Sequence, residues 1–90
     1  MEITFDPEKD RANRAKHGVG LARAAELDWA TAHIEADERR SYGETRYIAW
    51  AMLEDRLHAC VFTLRDGLVR VISLRKANRR EERRYHESQS

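Results

Sequence analysis

The chain has 90 residues, of which 41% are hydrophobic and 37% charged, and its formal net charge is +1. A domain of this size buries only about 60 to 65% of its unfolded surface, so we predict one small globular domain over residues 1–90 and exclude a second domain with a core of its own. No apolar run approaches the about 18 residues of a membrane span, and the charged start MEITFDPEKD does not resemble a signal peptide. We therefore expect a cytoplasmic protein without a membrane partner.

The positive charge is concentrated at one end of the sequence. Residues 1–64 carry nine Lys or Arg and twelve Asp or Glu, whereas residues 65–90 carry eight and four. A local excess of this kind favours a defined binding surface for an anionic partner. The single cysteine, Cys60, lies in an apolar run and is expected to be a buried thiol outside any internal disulfide.

The amino-terminal segment predicts a short strand followed by a helix. Residues 2–5 alternate polar and apolar side chains, and Asp6 with Pro7 forms a typical helix start. The helix is predicted to run to about His17, which would interact with the negative end of the helix dipole, and Gly18 is the expected left-handed C-cap. The side chains expected to face inward are Ala12, Ala15 and Val19.

The next segment predicts a second short helix and then mainly loop. Apolar residues recur at helical spacing in residues 21–28, so we expect this helix to pack an alanine-lined face onto a sheet. Residues 32–36 fit either an edge strand or a loop. Residues 37–45 are polar, contain Gly43, and are predicted to be a loop.

Three apolar runs follow, over residues 46–53, 57–65 and 68–74, and predict an antiparallel three-stranded meander. Asp66-Gly67 between two such runs is a strong signal for a two-residue hairpin turn. With that turn and a three-residue loop at 54–56, Leu53 lies opposite Leu57 and Arg65 lies opposite Leu68.

This register sorts the side chains into two faces, because strand side chains alternate with a period of two. One face, expected to be covered by the two amino-terminal helices, comprises Ile48, Trp50, Met52, His58, Cys60, Phe62, Leu64, Val69 and Val71. The other is smaller and more polar, and comprises Tyr47, Ala49, Ala51, Ala59, Val61, Thr63, Arg65, Arg70, Ile72 and Leu74. His58 is thus expected to be a core or rim residue.

The last strand leads directly into a basic helix. Asn78 is a favoured N-cap, and Glu81 three residues later completes a capping box. Residues 75–84 contain six Lys or Arg but only two Glu. Clustered guanidinium groups of this kind suit phosphate. The stretch 71–85 therefore predicts a nucleic-acid ligand, either RNA or DNA.

No metal or cofactor is predicted. The four His and one Cys show none of the usual metal-ligand spacings, and neither a glycine-rich phosphate loop nor a Ser/His/Asp grouping is present. The chemistry that remains is an arginine cluster with a few groups able to transfer a proton. Glu81 and Tyr85, four residues apart on the predicted helix, share a face.

The chain resembles the BrnT-type toxins of bacterial type II toxin–antitoxin systems over nearly its whole length. The matching residues are Phe5-Asp6, Lys9, Asn13, the KHGV of residues 16–19, Ala24, Gly43, Glu44, Arg46, the FTLR of residues 62–65, and the RVISLRKANRREERRY of residues 70–85. The sequence departs from the family pattern at Gly20, Asn78 and Glu82, where the family often has Ser, Thr and Arg.

The resemblance implies a RelE-like α+β fold with an amino-terminal strand, two helices, a three-stranded antiparallel meander and a carboxy-terminal basic helix. It also implies metal-independent cleavage of RNA that inhibits translation and growth. The implied partner is a BrnA-type antitoxin with a ribbon-helix-helix part. Operator DNA would be contacted only through that antitoxin, in an assembly that contains two toxin copies.

The expected site combines the basic stretch with family position. Arg65 and Arg75 would hold the scissile phosphate, and Glu81 with Tyr85 would transfer protons or position the substrate. Flanking phosphates would be bound by Lys76, Arg79, Arg83 and Arg70, and Tyr85 could stack on a base.

Three of these residues also have purely structural interpretations. Glu81 could serve only as the capping residue, Tyr85 as an anchor for the helix, and Arg65 as a surface residue beside a turn. Two other function classes also fit the basic helix: a nucleic-acid-binding domain without catalysis, and a subunit that docks an acidic partner.

Overall fold

In the computed structural model, which describes residues 1–89, a five-stranded sheet lies between two groups of helices. The strands are β1 (Ile3–Phe5), β2 (His33–Ala36), β3 (Tyr47–Leu53), β4 (Arg56–Arg65) and β5 (Leu68–Lys76), in the sheet order β1-β5-β4-β3-β2. The helices are α1 (Pro7–His17), α2 (Arg79–Gln89) and two 3₁₀ helices, Leu21–Glu26 and Trp29–Thr31. The α+β class is confirmed.

The sheet is wider than the predicted meander. Strands β3, β4 and β5 are antiparallel neighbours at its centre, but β1 pairs parallel with β5 and β2 pairs antiparallel with β3. The edge-strand alternative for residues 32–36 is therefore confirmed, and residues 37–46 form the predicted loop.

Local signals define α1, but its buried face differs from the prediction. The Asp6 carboxylate accepts a hydrogen bond from the Glu8 amide at 2.9 Å, and Gly18 ends the helix with φ 74°. Ala12 and Ala15, expected to face inward, are both exposed, whereas Asn13 is buried. A helix with so little apolar surface packs through a polar side chain.

The Asn13 amide acts in place of a neighbouring strand for part of β5. Its Nδ2 donates to the Leu74 carbonyl at 2.7 Å and to the Val19 carbonyl at 2.9 Å, and its Oδ1 accepts from the Leu74 amide at 3.1 Å. Because β1 pairs only with residues 69–71 of β5, the edge at Leu74 would otherwise lack a partner. Asn13 thereby holds the end of α1 against β5.

The second predicted helix is a 3₁₀ helix that ends at Glu26. Leu21 and Ala24 are fully buried and pack on the sheet, as expected of an apolar face at this position. The Trp29 indole donates to the Ala24 carbonyl at 2.9 Å and anchors the second 3₁₀ helix to the first.

The predicted register of the first hairpin is wrong by one residue. Glu54, with φ 56°, and Asp55 form a two-residue turn, so Leu53 pairs with Arg56 and Met52 with Leu57. Since side chains alternate, this shift moves every residue of β3 to the face opposite the predicted one.

The second hairpin has the predicted register, with Arg65 opposite Leu68 and positive φ at Asp66 and Gly67. A register shift between Val61 and Phe62 then places Leu74 opposite Cys60, so Leu74 joins the core rather than the polar face. One core contains Leu21, Ala24, Leu27, Ala49, Ala51, Leu53, Cys60, Phe62, Val71 and Leu74. The other lies under α2 and contains Trp50, Leu57, Ala59, Ala77 and Tyr85.

Two buried polar positions agree with the sequence predictions. Cys60 is a free, fully buried thiol, and burial raises its pKa to about 12. His58 is 4% exposed, and its Nδ1 lies 2.9 Å from the Arg56 carbonyl oxygen, to which it donates. In residues 1–89 no helix has the length and apolar character to cross a membrane.

Candidate functional site

The start of α2 is set by a reciprocal pair of hydrogen bonds. The Glu81 amide donates to Asn78 Oδ1 at 2.9 Å, and the Asn78 amide donates to Glu81 Oε1 at 2.9 Å. This is the predicted capping box, and it satisfies two amides that the first turn of a helix leaves unpaired.

Glu81 also holds the Arg75 guanidinium in place. Arg75 Nη1 donates to Glu81 Oε1 and Arg75 Nη2 donates to Glu81 Oε2, both at 2.9 Å, in a bidentate ion pair. The hydrogen bonds from Arg75 lower the pKa of the Glu81 carboxyl, and the Asn78 amide adds to this shift. Glu81 is thus an anion committed to two partners, which weakens it as a proton acceptor.

Arg75 lies on the wall of a cavity of about 240 Å³ on the α2 side of the sheet. Its apolar floor is formed by Ile48 of β3 and by Ala59 and Val61 of β4, which pair with Arg75 and Ser73 of β5. The cationic and polar side chains that line it are Lys16, His17, Arg39, Ser73 and Arg75. We call this cavity the basic cleft.

Arg39 reaches the basic cleft from the 37–46 loop and is held by a buried carboxylate. Its Nε and Nη2 donate to the two Asp37 oxygens at 2.7 and 2.8 Å, while the Tyr42 hydroxyl donates to Asp37 at 3.1 Å. These hydrogen bonds keep the pKa of Asp37 well below its usual range. The loop therefore presents a guanidinium with a defined orientation although 64% of the Arg39 side chain is exposed.

His17 and Lys16 reach the cleft from the end of α1. Burial lowers the pKa of His17, and the positive charges of Lys16 and Arg75 lower it further. The sequence prediction places His17 at the end of α1 and gives no role to Lys16 or Arg39. The sequence signal for Lys16 and His17 is the KHGV motif at residues 16–19.

The structure does not bring Arg65 to Arg75. Arg65 lies at the tip of the second hairpin, opposite Leu68, whereas Arg75 lies opposite Ala59, six residues back along β4. Six residues of strand span about 20 Å, so these two guanidinium groups cannot hold one phosphate. Arg65 instead lies 3.5 Å from Glu44, and Arg70, which pairs with Thr63, shares its end of the sheet.

Tyr85 lies beneath α2 rather than in the basic cleft. It is 8% exposed, packs in the second core, and its hydroxyl donates to the Thr31 carbonyl at 2.9 Å. These contacts match the anchoring alternative, and the catalytic role expected for Tyr85 stays a prediction. Together with Trp50, Glu81 and Arg84 it also lines a separate small cavity of about 170 Å³.

The remaining predicted phosphate ligands lie on the surface around the start of α2. Lys76 ends β5, and the exposed side of the helix carries four guanidinium groups. They belong to Arg79, Arg80, Arg83 and Arg84. This surface adjoins Arg75, which supports a path for a polyanion that leads into the basic cleft.

Within residues 1–89, no cluster of three or more His, Cys, Asp or Glu side chains has a geometry suited to a metal ion. The cleft instead offers fixed cations and an imidazole. A site of this composition suits a phosphodiester, whose charge the guanidinium groups can bind.

The fold and the cleft together describe a small α+β protein whose cationic cleft has a composition suited to a polyanion. A family model described as "Ribonuclease toxin, BrnT, of type II toxin-antitoxin system" matches residues 5–81. The chain belongs to this family and is therefore a ribonuclease toxin of a type II toxin–antitoxin system, for which an antitoxin partner is implied. A comparison with functionally curated proteins finds no match.

Proposed function

We propose that the protein is a metal-independent endoribonuclease that cleaves RNA in the basic cleft and so inhibits translation and growth. The observation that carries this proposal is the Arg75 guanidinium, fixed by both Glu81 oxygens at 2.9 Å on the wall of a cationic cleft. The family assignment supports the substrate class. The RelE-like layout implied by the sequence resemblance is part of this proposal.

Cleavage of RNA without a metal ion requires cations at the phosphate. In our proposal the ribose 2′-oxygen attacks the adjacent phosphorus, and charge grows on the phosphoryl oxygens in the transition state. Arg75 stabilises that charge, together with Arg39 and Lys16, which line the same cleft. Glu81 contributes by orienting Arg75, because its oxygens are already engaged in hydrogen bonds.

The exposed basic surface would bind the rest of the RNA. Lys76, Arg79 and Arg83 are exposed next to the cleft and are proposed to contact flanking phosphates. Arg65 and Arg70, at the far end of the sheet, could contact only a more distant part of a longer strand.

We further propose that the partner is a BrnA-type antitoxin with a ribbon-helix-helix part, which would connect the toxin to operator DNA in an assembly with two toxin copies. A type II system supports a protein antitoxin. The arginine-rich exposed side of α2 would suit an acidic segment of that partner.

The ribonuclease proposal is tested with purified protein and a defined RNA in the presence of EDTA. We expect cleavage that leaves a 2′,3′-cyclic phosphate and a 5′-hydroxyl, and no cleavage of the same oligonucleotide made with 2′-deoxyribose. Arg75→Ala should lower kcat by about 10² to 10³, the usual effect of removing one transition-state donor. Glu81→Ala should lower it less, since Arg75 keeps its charge but loses its orientation.

Arg14→Ala is the matched control, because Arg14 is an exposed arginine of α1 outside the cleft. It should cleave at the wild-type rate. RNA binding without cleavage by the wild-type protein would instead favour a non-catalytic binding domain. Loss of cleavage on addition of EDTA would contradict metal independence alone.

A further inference from the structure

His17 occupies a fixed position in the basic cleft. It is the last residue of α1, and the following Gly18, with φ 74°, closes the helix by donating its amide to the Arg14 carbonyl at 2.9 Å. Asn13 ties the same turn to the Val19 and Leu74 carbonyls. The His17 side chain is half-buried. Hydrogen bonds hold the backbone turn that follows it and connect this end of α1 to β5.

The ring lies between two cavities that carry many charges. In the basic cleft it is near Lys16, Arg39 and Arg75. The adjoining cavity, of about 590 Å³, also contains His17, and its other ionisable lining residues are Arg23, Glu54, Asp55, Arg56, His58 and Lys76. Among residues 1–89, no carboxylate lies within ion-pairing distance of the His17 ring.

This environment favours the neutral imidazole. Burial is the largest cause of the lowered pKa of His17, and the charges of Lys16 and Arg75 act in the same direction. A neutral imidazole near pH 7 can accept a proton in the transition state. Glu81 is the alternative acceptor, but both of its oxygens already accept hydrogen bonds from Arg75.

We infer that His17 is the general base of this protein, and that it removes the proton from the 2′-hydroxyl of the RNA bound at Arg75. The inference rests on the proposed ribonuclease function. In the step, the 2′-oxygen forms a bond to phosphorus while the bond from phosphorus to the 5′-oxygen breaks. The hydroxyl proton moves to a His17 ring nitrogen, and the leaving 5′-oxygen takes a proton from solvent water. Imidazolium then returns its proton to solvent.

The test compares His17→Gln with the wild-type protein in single-turnover cleavage over a range of pH. Loss of a general base should lower the rate by about 10² to 10⁴, with RNA affinity retained. The wild-type rate should fall as the pH drops below the His17 pKa, which lies under the ordinary 6.5. This acid limb should be absent from the residual activity of His17→Gln.

Two further variants separate chemistry from structure. Lys16→Gln removes the neighbouring cation on the same helix end. It should weaken RNA binding and lower the rate, while the acid limb remains and moves to higher pH, because the Lys16 charge lowers the His17 pKa. His17→Ala should regain activity when imidazole is added, which a purely structural defect would not do. Far-ultraviolet circular dichroism checks that each variant is folded.

The outcomes distinguish this inference from the proposed function. Wild-type protein that cleaves no RNA overturns both. Wild-type protein that cleaves, together with a folded His17→Gln that keeps the rate and the acid limb, overturns the assignment of His17 alone. Loss of activity with imidazole rescue supports it.

Discussion

Asn13→Ala should be strongly destabilising, although it replaces a polar residue on a mostly exposed helix. The substitution removes the donor to the Leu74 carbonyl at 2.7 Å and the acceptor of the Leu74 amide at 3.1 Å. Leu74 is 0% exposed, so both backbone groups would be left without a partner in the core. Each such group costs about 1 to 3 kcal/mol, which gives a loss of about 2 to 6 kcal/mol.

Urea unfolding followed by circular dichroism measures this loss, as a lower midpoint at unchanged slope. A domain with a total stability of about 5 to 15 kcal/mol would be partly unfolded at the upper end of the predicted range. Arg14→Ala is the control on the same helix, because the Arg14 side chain, which forms an ion pair with Asp10 at 3.3 Å, is 61% exposed. Its expected effect is below about 1 kcal/mol. A loss of less than about 1 kcal/mol for Asn13→Ala would refute the reasoning.

Three further results are expected. Tyr85→Phe removes the hydrogen bond to the Thr31 carbonyl and should cost about 0.5 to 1.5 kcal/mol in urea unfolding while RNA cleavage is retained. A large loss of cleavage in folded protein would make its hydroxyl catalytic. Arg65→Ala should leave kcat near the wild-type value, unlike Arg75→Ala, because the two side chains lie at opposite ends of the β4–β5 ladder. Equal losses of kcat for the two variants in cleavage assays would contradict this placement.

His58 is kept neutral by burial, which lowers its pKa from 6.5. The unfolded chain therefore binds a proton first as the pH falls, and the free energy of unfolding should decrease below about pH 6.5. Urea midpoints measured across this range should fall less for His58→Gln than for the wild type, and an identical dependence would refute the role of His58.

The features that sequence determined are those made by neighbours along the chain. Asp6 caps α1, Asn78 and Glu81 cap α2, and Asp66-Gly67 turns the second hairpin. Each depends on side chains within about four residues, so local physics decides it. The basic character of α2 is likewise a property of composition.

The first hairpin shows where local information ends. The segment 54–56 allows a turn of two or three residues. Because strand side chains alternate between the two faces of a sheet, a difference of one residue in the turn moves every side chain of β3 to the opposite face. The separation of Arg65 from Arg75, by contrast, follows from the register of the second hairpin, which the sequence did indicate.

The basic cleft itself was decided by tertiary structure. Lys16 and His17 end α1, Arg39 comes from a loop, and Arg75 is the second-last residue of β5, so they are up to 59 positions apart in the chain. They meet because the Asn13 amide fastens α1 to the edge of β5 and because buried Asp37 holds Arg39. Contacts between such distant residues leave no periodic pattern in the sequence, and for that reason only the folded chain shows the site.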